Sequence, residues 1–526
     1  MEVGFIKENS YKSDRLKAYQ SITTHTHLCR EVEVEDVKAQ ENLVGYCHKF
    51  NISALGVGSP WSVDFLKLAK HHEKSRDLYY SSSNSNQDLL KTEEVTSVIQ
   101  SLKHQCPSTY FYLDSETPKM RHGHMWWFGY NYDQPFWHDY DQDQHVSFWH
   151  NDNKSIINSV TSLPHSRRTY RKVLQQQRNS GALGIWAHPT SWWMDGQRFI
   201  TNIAAESYLH YLIDGYLDGL TIQGYKPYHE SYQNLWFSFL DKGGIVPGFS
   251  ETDHCFGAKN YSDSGASAGI STYMKLPHNF TLADIKSAAK KGNCFASSGP
   301  RLTLEIDDKY NIGEVIAEFK AKMTLKVHYA SSEGGGQGNN LQIIGKGGVV
   351  LYCLDQAVEG EYHFTLTNIQ DGDYVLARIW EADLANHHHT GHAITNPVYF
   401  KKSKLMNPLN FSNLELLLSD RIRGASLSVY SRNDEILETL EVSERKINLQ
   451  CPSDGLIKLD FPNGAKENYE VLYENKVIQR YLTHICEGHF LREHKGLSAG
   501  EVPSSVMTGA HHELVQAISY PVINID

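Results

Sequence analysis

Apolar and polar positions follow two different rhythms along this 526-residue chain. In the first 300 residues, short apolar runs at 52–57, 109–113, 182–186 and 219–222 are separated by longer mixed stretches. Runs of that length, bounded by turn-forming residues, predict strands. The stretches 35–50 and 166–179 predict helices between them. Strand and helix in alternation predict an α/β architecture. The rhythm changes after Ser298-Gly299-Pro300. Residues 302–306, 323–327, 349–352 and 374–379 alternate between turns, which predicts a β-sandwich over 301–402 with a flexible loop at Gly334-Gly335-Gly336. Strand-like runs at 425–430 and 469–473 predict an additional β-rich C-terminal domain over 403–526. Three units, 1–300, 301–402 and 403–526, suit a prior of about 150 residues per domain.

Composition narrows the partners. Hydrophobic residues at 40% and charged residues at 21% are those of a soluble globular protein. A net charge of -11 argues against nucleic acid and against an anionic membrane, both of which want a basic face. The N-terminus lacks a basic segment followed by an apolar one, and no run approaches the ~18 apolar residues that span a bilayer. The eight cysteines are widely spaced, with no CxxC pair. They read as reduced thiols of a cytoplasmic protein. Homo-oligomerisation is left open.

The candidate chemistry sits at or just after the apolar runs, where barrel enzymes carry their catalytic groups. His25-Thr26-His27 places two imidazoles at i and i+2, which share one face of a strand and can grip one ion. Glu116 follows the aromatic run and can bridge two ions. In Arg121-His122-Gly123-His124 the glycine permits a turn that aims His124 inward. His188, between Ala187 and Pro189, ends an apolar run, where an imidazole needs a metal or a hydrogen bond. Ser250-Glu251-Thr252-Asp253-His254-Cys255 packs several ligand types together. Each signal also has a bland reading: HxH is common by chance among 28 histidines, and a turn acid is usually solvated. His387-His388-His389 with His392 reads as a solvent-exposed loop, because no spaced carboxylate accompanies it. Neither a nucleophile elbow nor a Walker pattern is present.

In this order and spacing the residues resemble the PHP superfamily (polymerase and histidinol phosphatase domains), and within it the CehA/McbA-like metallohydrolases. The resemblance rests on HxH, on Glu116 followed by Gly123-His124, on Ala187-His188-Pro189 and on residues 250–253. It continues in the exit at 291–300 and in the ending at 394–400, and covers residues 20–402. It implies a distorted (β/α)7 barrel holding up to three divalent metals, followed by β-sandwich-like C-terminal domains. Carried over by position, His25, His27, Glu116 and Asp253 hold the first ion. Glu116 bridges to a second, completed by His124 and His188. Gly58-Ser59-Pro60 stands where the family has Thr-Asp-His, and Asp253-His254-Cys255 where it has Asp-x-His. The histidines absent at Pro60 and Cys255 are those that serve a third ion. The implied centre is therefore dinuclear, or mononuclear if the second ion binds weakly, with zinc, manganese or iron as candidates. Asp253 or His254 would position the attacking water or return the proton to the leaving group, unless the register lets His254 bind metal instead.

Trp126 and Trp127 follow His124, and Trp192 and Trp193 follow His188. They read either as ordinary packing between barrel and β-domain or as a wall that stacks on a sugar-like or aromatic small-molecule substrate, with Arg198 for an anionic group. The leading expectation is a metal-dependent hydrolase that uses activated water to cleave an ester, amide or carbamate bond. A phosphoesterase acting on a small organic phosphate is second, weakened by few basic residues near the motifs. A non-catalytic carbohydrate-binding protein on a degenerate barrel is the third.

Overall fold

Most of the apolar runs in the first half of the chain are strands of one curled sheet. The structure is a computed structural model. It describes residues 1–9, 14–27, 37–59, 92–116, 125–129, 178, 181–188, 192–195, 198–201, 217–224, 230–241, 244–255, 269–332, 339–383, 388–401, 411–418, 424–431, 435–444, 446–452, 456–460, 462, 466–471, 477–479 and 522–525. The helix expected at 166–179 falls outside these but for residue 178, which is helical.

In the curled sheet β2 (Tyr19–Thr23), β4 (Ala54–Ser59) and β5 (Tyr110–Glu116) run parallel. So do β7 (Leu183–Trp186), β10 (Gly219–Gly224) and β11 (Gly248–Glu251). Between the two sets lies β6 (Met125–Phe128), antiparallel to both neighbours, a departure from strict β/α alternation. Two short strands bring the ends together: β3 (Thr26–His27) pairs in parallel with β4 and with β12 (His254–Cys255). The chain leaving β11 thus meets the chain leaving β2. β13 (Ser271–Lys275) adds antiparallel to β2, and β14 (Cys294–Ser297) to β13.

The period of two decides what each strand buries. Leu55, Val57 and Phe111 point outward, against Leu43, Tyr46 and Cys47 of α1 (Val37–Lys49) and Val98, Ile99 and Leu102 of α2 (Thr92–Gln105). Ala54 and Tyr112 point inward, to a core shared with Trp126, Ile185 and Phe249. Burial on both faces is why these strands read as continuous apolar runs. α3 (Glu230–Asp241) follows β10. α4 (Leu282–Lys291) starts at a Thr281–Asp284 capping box and stops at Gly292, whose φ of 66° ends the helix.

Beyond residue 300 the described residues are strands joined by turns, with one short 3-10 turn at Lys346–Gly348. One antiparallel sheet has the order β1 (Glu2–Asn9), β21 (Gly360–Thr367), β18 (Lys322–Ala330), β15 (Arg301–Ile306), β16 (Tyr310–Asn311). Its inner face carries Leu302, Leu304, Leu325, Val327 and Phe364. These pack on Leu341 and Ile343 of β19 (Asn340–Ile344) and on Val375, Ala377 and Ile379 of β22 (Asp373–Asp383). β20 (Val350–Asp355), β23 (His388–Thr395), β24 (Val398–Phe400) and β17 (Val315–Ile316) extend that second layer. β23 also pairs with β14, so the curled sheet runs on into this layer. The N-terminal strand β1 completes the edge of the other layer by pairing with β21.

The histidine-rich stretch differs from the expected exposed loop. His388–Thr395 is a strand, and His392 is fully buried, its ring 4.4 Å from that of Trp380 and tilted by 58° to it. Pairing on both sides, to β22 and β14, imposes the strand and buries the imidazole. Residues Phe411–Leu418, Lys446–Pro452 and Val522–Ile525 form a three-stranded sheet. Ser426–Tyr430, Ile436–Glu441, Leu456–Asp460, Lys466–Val471 and Val477–Gln479 form a five-stranded one. Among the described residues no helix is long and apolar enough to cross a membrane. Cys47, Cys106, Cys294, Cys353 and Cys451 form no disulfide.

Candidate metal centre

The C-terminal ends of β2, β7 and β11 converge, and three side chains meet there. His25 follows β2, His188 follows β7 and Asp253 follows β11. One donor atom from each lies within 4.8 Å of the others, the one such group of three among the described residues. His25 Nε2 is 3.3 Å from Asp253 Oδ1, and His188 Nε2 is 3.7 Å from Asp253 Oδ2. The two imidazole rings stack with centroids 5.3 Å apart. Both histidines are buried and Asp253 is partly exposed.

All three residues sit at positive φ: 59° at His25, 26° at His188 and 45° at Asp253. Each such non-glycine conformation costs about 1–3 kcal/mol, and such strain gathers at functional sites. It also changes one expectation. His25 falls in a break between β2 and β3, so the same-face rule for a continuous strand does not govern His25 and His27.

The donor set fits a divalent ion. Ligands bound at about 2.0–2.2 Å in a tetrahedron stand about 3.4 Å apart; His25 and His188 reach the two different oxygens of Asp253 at 3.3 and 3.7 Å, and one donor from each residue lies within 4.8 Å of the others. Two imidazoles and a carboxylate suit zinc, manganese or iron. The setting is also rich in buried acid. Glu251 and Asp114 are 2% and 0% exposed, and buried carboxylates require compensation by a proton, a cation or hydrogen bonds.

Glu251 and Asp114 support the site from behind, and sequence reasoning assigned neither a role. Glu251 Oε2 lies 2.8 Å from His25 Nδ1, and Glu251 Oε1 accepts the His188 backbone N–H at 2.7 Å. Asp114 accepts the Trp126 indole N–H at 2.8 Å and the Gly129 N–H at 2.9 Å. Burial pushes its carboxyl up to about 8, against the opposing pull of those two hydrogen bonds. Two glycines clear the space. A Cβ on Gly56 would stand 1.8 Å from Asp114 Oδ2, and one on Gly224 would stand 2.7 Å from Glu251 Cγ. The signal for Asp114 was an acid directly after the apolar run 109–113. For Glu251 it was an acid at the end of an apolar run, two residues before Asp253.

The remaining expected residues fall as follows. His27 is a strand position paired with Gly58 and Cys255. Glu116 ends β5 opposite Trp126, and His254 pairs with Thr26. The side chains of His27, Glu116 and His254 lie outside the described residues, as does His124 altogether. The implied second ion therefore rests on positions outside them. His188, given by the resemblance to that second ion, is within reach of the same ion as His25 and Asp253. Trp126 and Trp127 are 1% and 0% exposed, and the face of Trp126 lies 4.2 Å from the His25 ring. That ring is buried against the candidate ligand His25. Trp192, Trp193 and Arg198 lie on a hairpin of β8 (Trp192–Asp195) and β9 (Arg198–Thr201), with their side chains outside the described residues.

No known family model matches the chain, and no curated protein does. Among solved structures it has a likeness to the BSP domain of a biofilm-associated protein, at 12% identity and a TM-score of 0.14 over 34% of this chain and 28% of that one. The Bacillus anthracis TIE protein follows at 10% identity and 0.12, over 33% and 38%. A Parabacteroides merdae beta-glucuronidase stands at 8% identity and 0.17, over 89% and 64%. The chain thus spans about a third of the first two structures it matches, and likenesses of this size carry no functional weight.

Proposed function

We propose that this chain is a metal-dependent hydrolase on a PHP-type barrel, acting on an ester, amide or carbamate bond of a small molecule. The observation that carries the reading is the convergence of His25, His188 and Asp253 at the ends of three strands, with donor spacings that suit one divalent ion. The order of ligand-type residues along the sequence supports the same class. When bound, a divalent ion supplies Lewis acidity and lowers the pKa of a coordinated water. His25 and His188 would each offer Nε2, held in place by Glu251. Asp253, the most exposed of the three, would complete the ion's grip and orient the attacking water by hydrogen bonding. His254, next in the chain, is the proposed proton carrier to the leaving group. The burial of both histidines keeps bulk water from competing for their ring nitrogens.

The test is metal analysis of the purified protein, paired with ester, carbamate and phosphoester substrates. Stoichiometric zinc, manganese or iron, with turnover abolished in His25→Ala and in His188→Ala, is the expected result. A protein that binds none of these ions after reconstitution sinks the hydrolase reading. Turnover confined to phosphoesters would move the substrate class to small organic phosphates.

A further inference from the structure

Glu251 is the last residue of β11 and is 2% exposed. Its two oxygens are divided between two strand ends: Oε2 reaches the Nδ1 of His25 at 2.8 Å, and Oε1 takes the backbone N–H of His188 at 2.7 Å. Two residues on, Asp253 meets His25 from the opposite side, at Nε2. The His25 ring is thus held between acids from a single strand end. Thr252, between them, ties that end down, its hydroxyl donating to the carbonyls of Thr24 and His25. Room for the carboxylate is provided by Gly224, directly opposite in the ladder, where any Cβ would fall 2.9 Å from Oε1. A carboxylate so placed does more than fill space. By accepting Nδ1–H it fixes the tautomer that turns the Nε2 lone pair toward Asp253 and His188. By accepting the His188 amide it holds that residue in its strained backbone conformation, φ 26°.

We infer that Glu251 is the positioning residue of the metal site: one carboxylate that orients His25 and His188 together and so sets how tightly the ion is held. The inference rests on the proposed metal-binding reading and goes beyond its ligand set. Removing such an outer partner lowers metal affinity about 10–100-fold. Glu251→Gln is the informative change, because an amide can accept from one of the two donors but must turn its NH2 toward the other. Glu251→Asp keeps the charge but is one methylene too short to span both.

Zinc affinity is measured by competition with a chromophoric chelator, and site geometry by the visible spectrum of the cobalt-loaded protein. Unfolding temperature is followed on the metal-free chain. The expected result is zinc binding about 10–100-fold weaker in Glu251→Gln, a shifted cobalt spectrum and partial recovery in Glu251→Asp. Parent-like zinc affinity in Glu251→Gln overturns the inference, even if unfolding temperature falls, and leaves the metal site standing. Failure of the parent to bind zinc or cobalt overturns both. If Glu251→Gln does not fold, Glu251→Asp decides: affinity equal to the parent's overturns the inference, and a loss supports it.

Discussion

The indole of Trp126 lies face-on to the imidazole of His25, with ring centroids 4.2 Å apart and planes inclined by 26°. The same indole donates to Asp114, so a buried acid, an aromatic plate and a candidate ligand form one stack. Trp126→Ala should destabilise the protein by about 3–5 kcal/mol through the cavity and the lost hydrogen bond. Trp126→Phe keeps most of the plate and should cost less, while leaving Asp114 with one donor fewer. Denaturant unfolding of the two variants checks the order. Equal stability of Trp126→Ala and the parent would show that the stack contributes nothing.

A second expectation concerns Gly56. A methyl group there collides with the Asp114 carboxylate, which cannot move without giving up its two hydrogen bonds. Gly56→Ala should therefore cost about 1–3 kcal/mol by overpacking. Asp114→Ala alone strands the Trp126 and Gly129 N–H groups. Combined, the two changes share one vacated space, so the double variant should be less destabilised than the sum by about 0.5–3 kcal/mol. Strict additivity in a double-mutant cycle would refute the close approach.

How far the sequence disclosed these features depends on whether the signal was local. The runs at 52–57, 109–113, 182–186 and 219–222 all mark strands, because burial on two faces leaves an apolar run visible in one dimension. α1 also emerges near its expected place, at Val37–Lys49. The pairing of β1 with β21 was invisible, since its partner lies some 350 residues away and nothing in residues 2–9 points to it. His25, His188 and Asp253 were legible as ligand types at strand ends. Glu251 and Asp114 were not, because a second-layer acid is defined by what it touches. The burial of His392 was hidden for the same reason.

Thiol reactivity should divide the described cysteines. Burial pushes the Cys294 and Cys47 thiols up to about 12, where the neutral form persists far above its usual range. Cys353 is exposed on β20. Iodoacetamide at pH 8 should label Cys353 in the native protein and spare Cys294 and Cys47, as read by peptide mapping. The linkage has a definite sign. A thiol whose folded pKa lies above its unfolded value stabilises the fold below the unfolded pKa of about 9 and loses that contribution as pH rises toward 12. Alkaline unfolding should therefore expose both thiols together with the loss of structure, and labelling of Cys294 in folded protein at pH 8 would contradict its burial.

Asn396 joins the curled sheet to the sandwich layer. Its Oδ1 accepts the Gly248 N–H at 2.7 Å, and its Nδ2 donates to the carbonyls of Gly248 at 3.0 Å and Cys294 at 2.9 Å. Those partners lie on β11 and β14, one strand end away from Glu251 and Asp253. Asn396→Ala strands a buried N–H and should cost about 1–3 kcal/mol for that group alone. Asn396→Asp is the sharper probe. It keeps the acceptor for Gly248 N–H but turns a carboxylate oxygen toward two carbonyls, so its protonated form is the one the fold tolerates. The folded pKa of the new acid is raised, and its stability should be highest in mild acid and fall as pH rises toward neutrality. Chemical unfolding at two pH values measures this. A pH-independent difference between Asn396→Asp and the parent would mean that the side chain does not face both carbonyls.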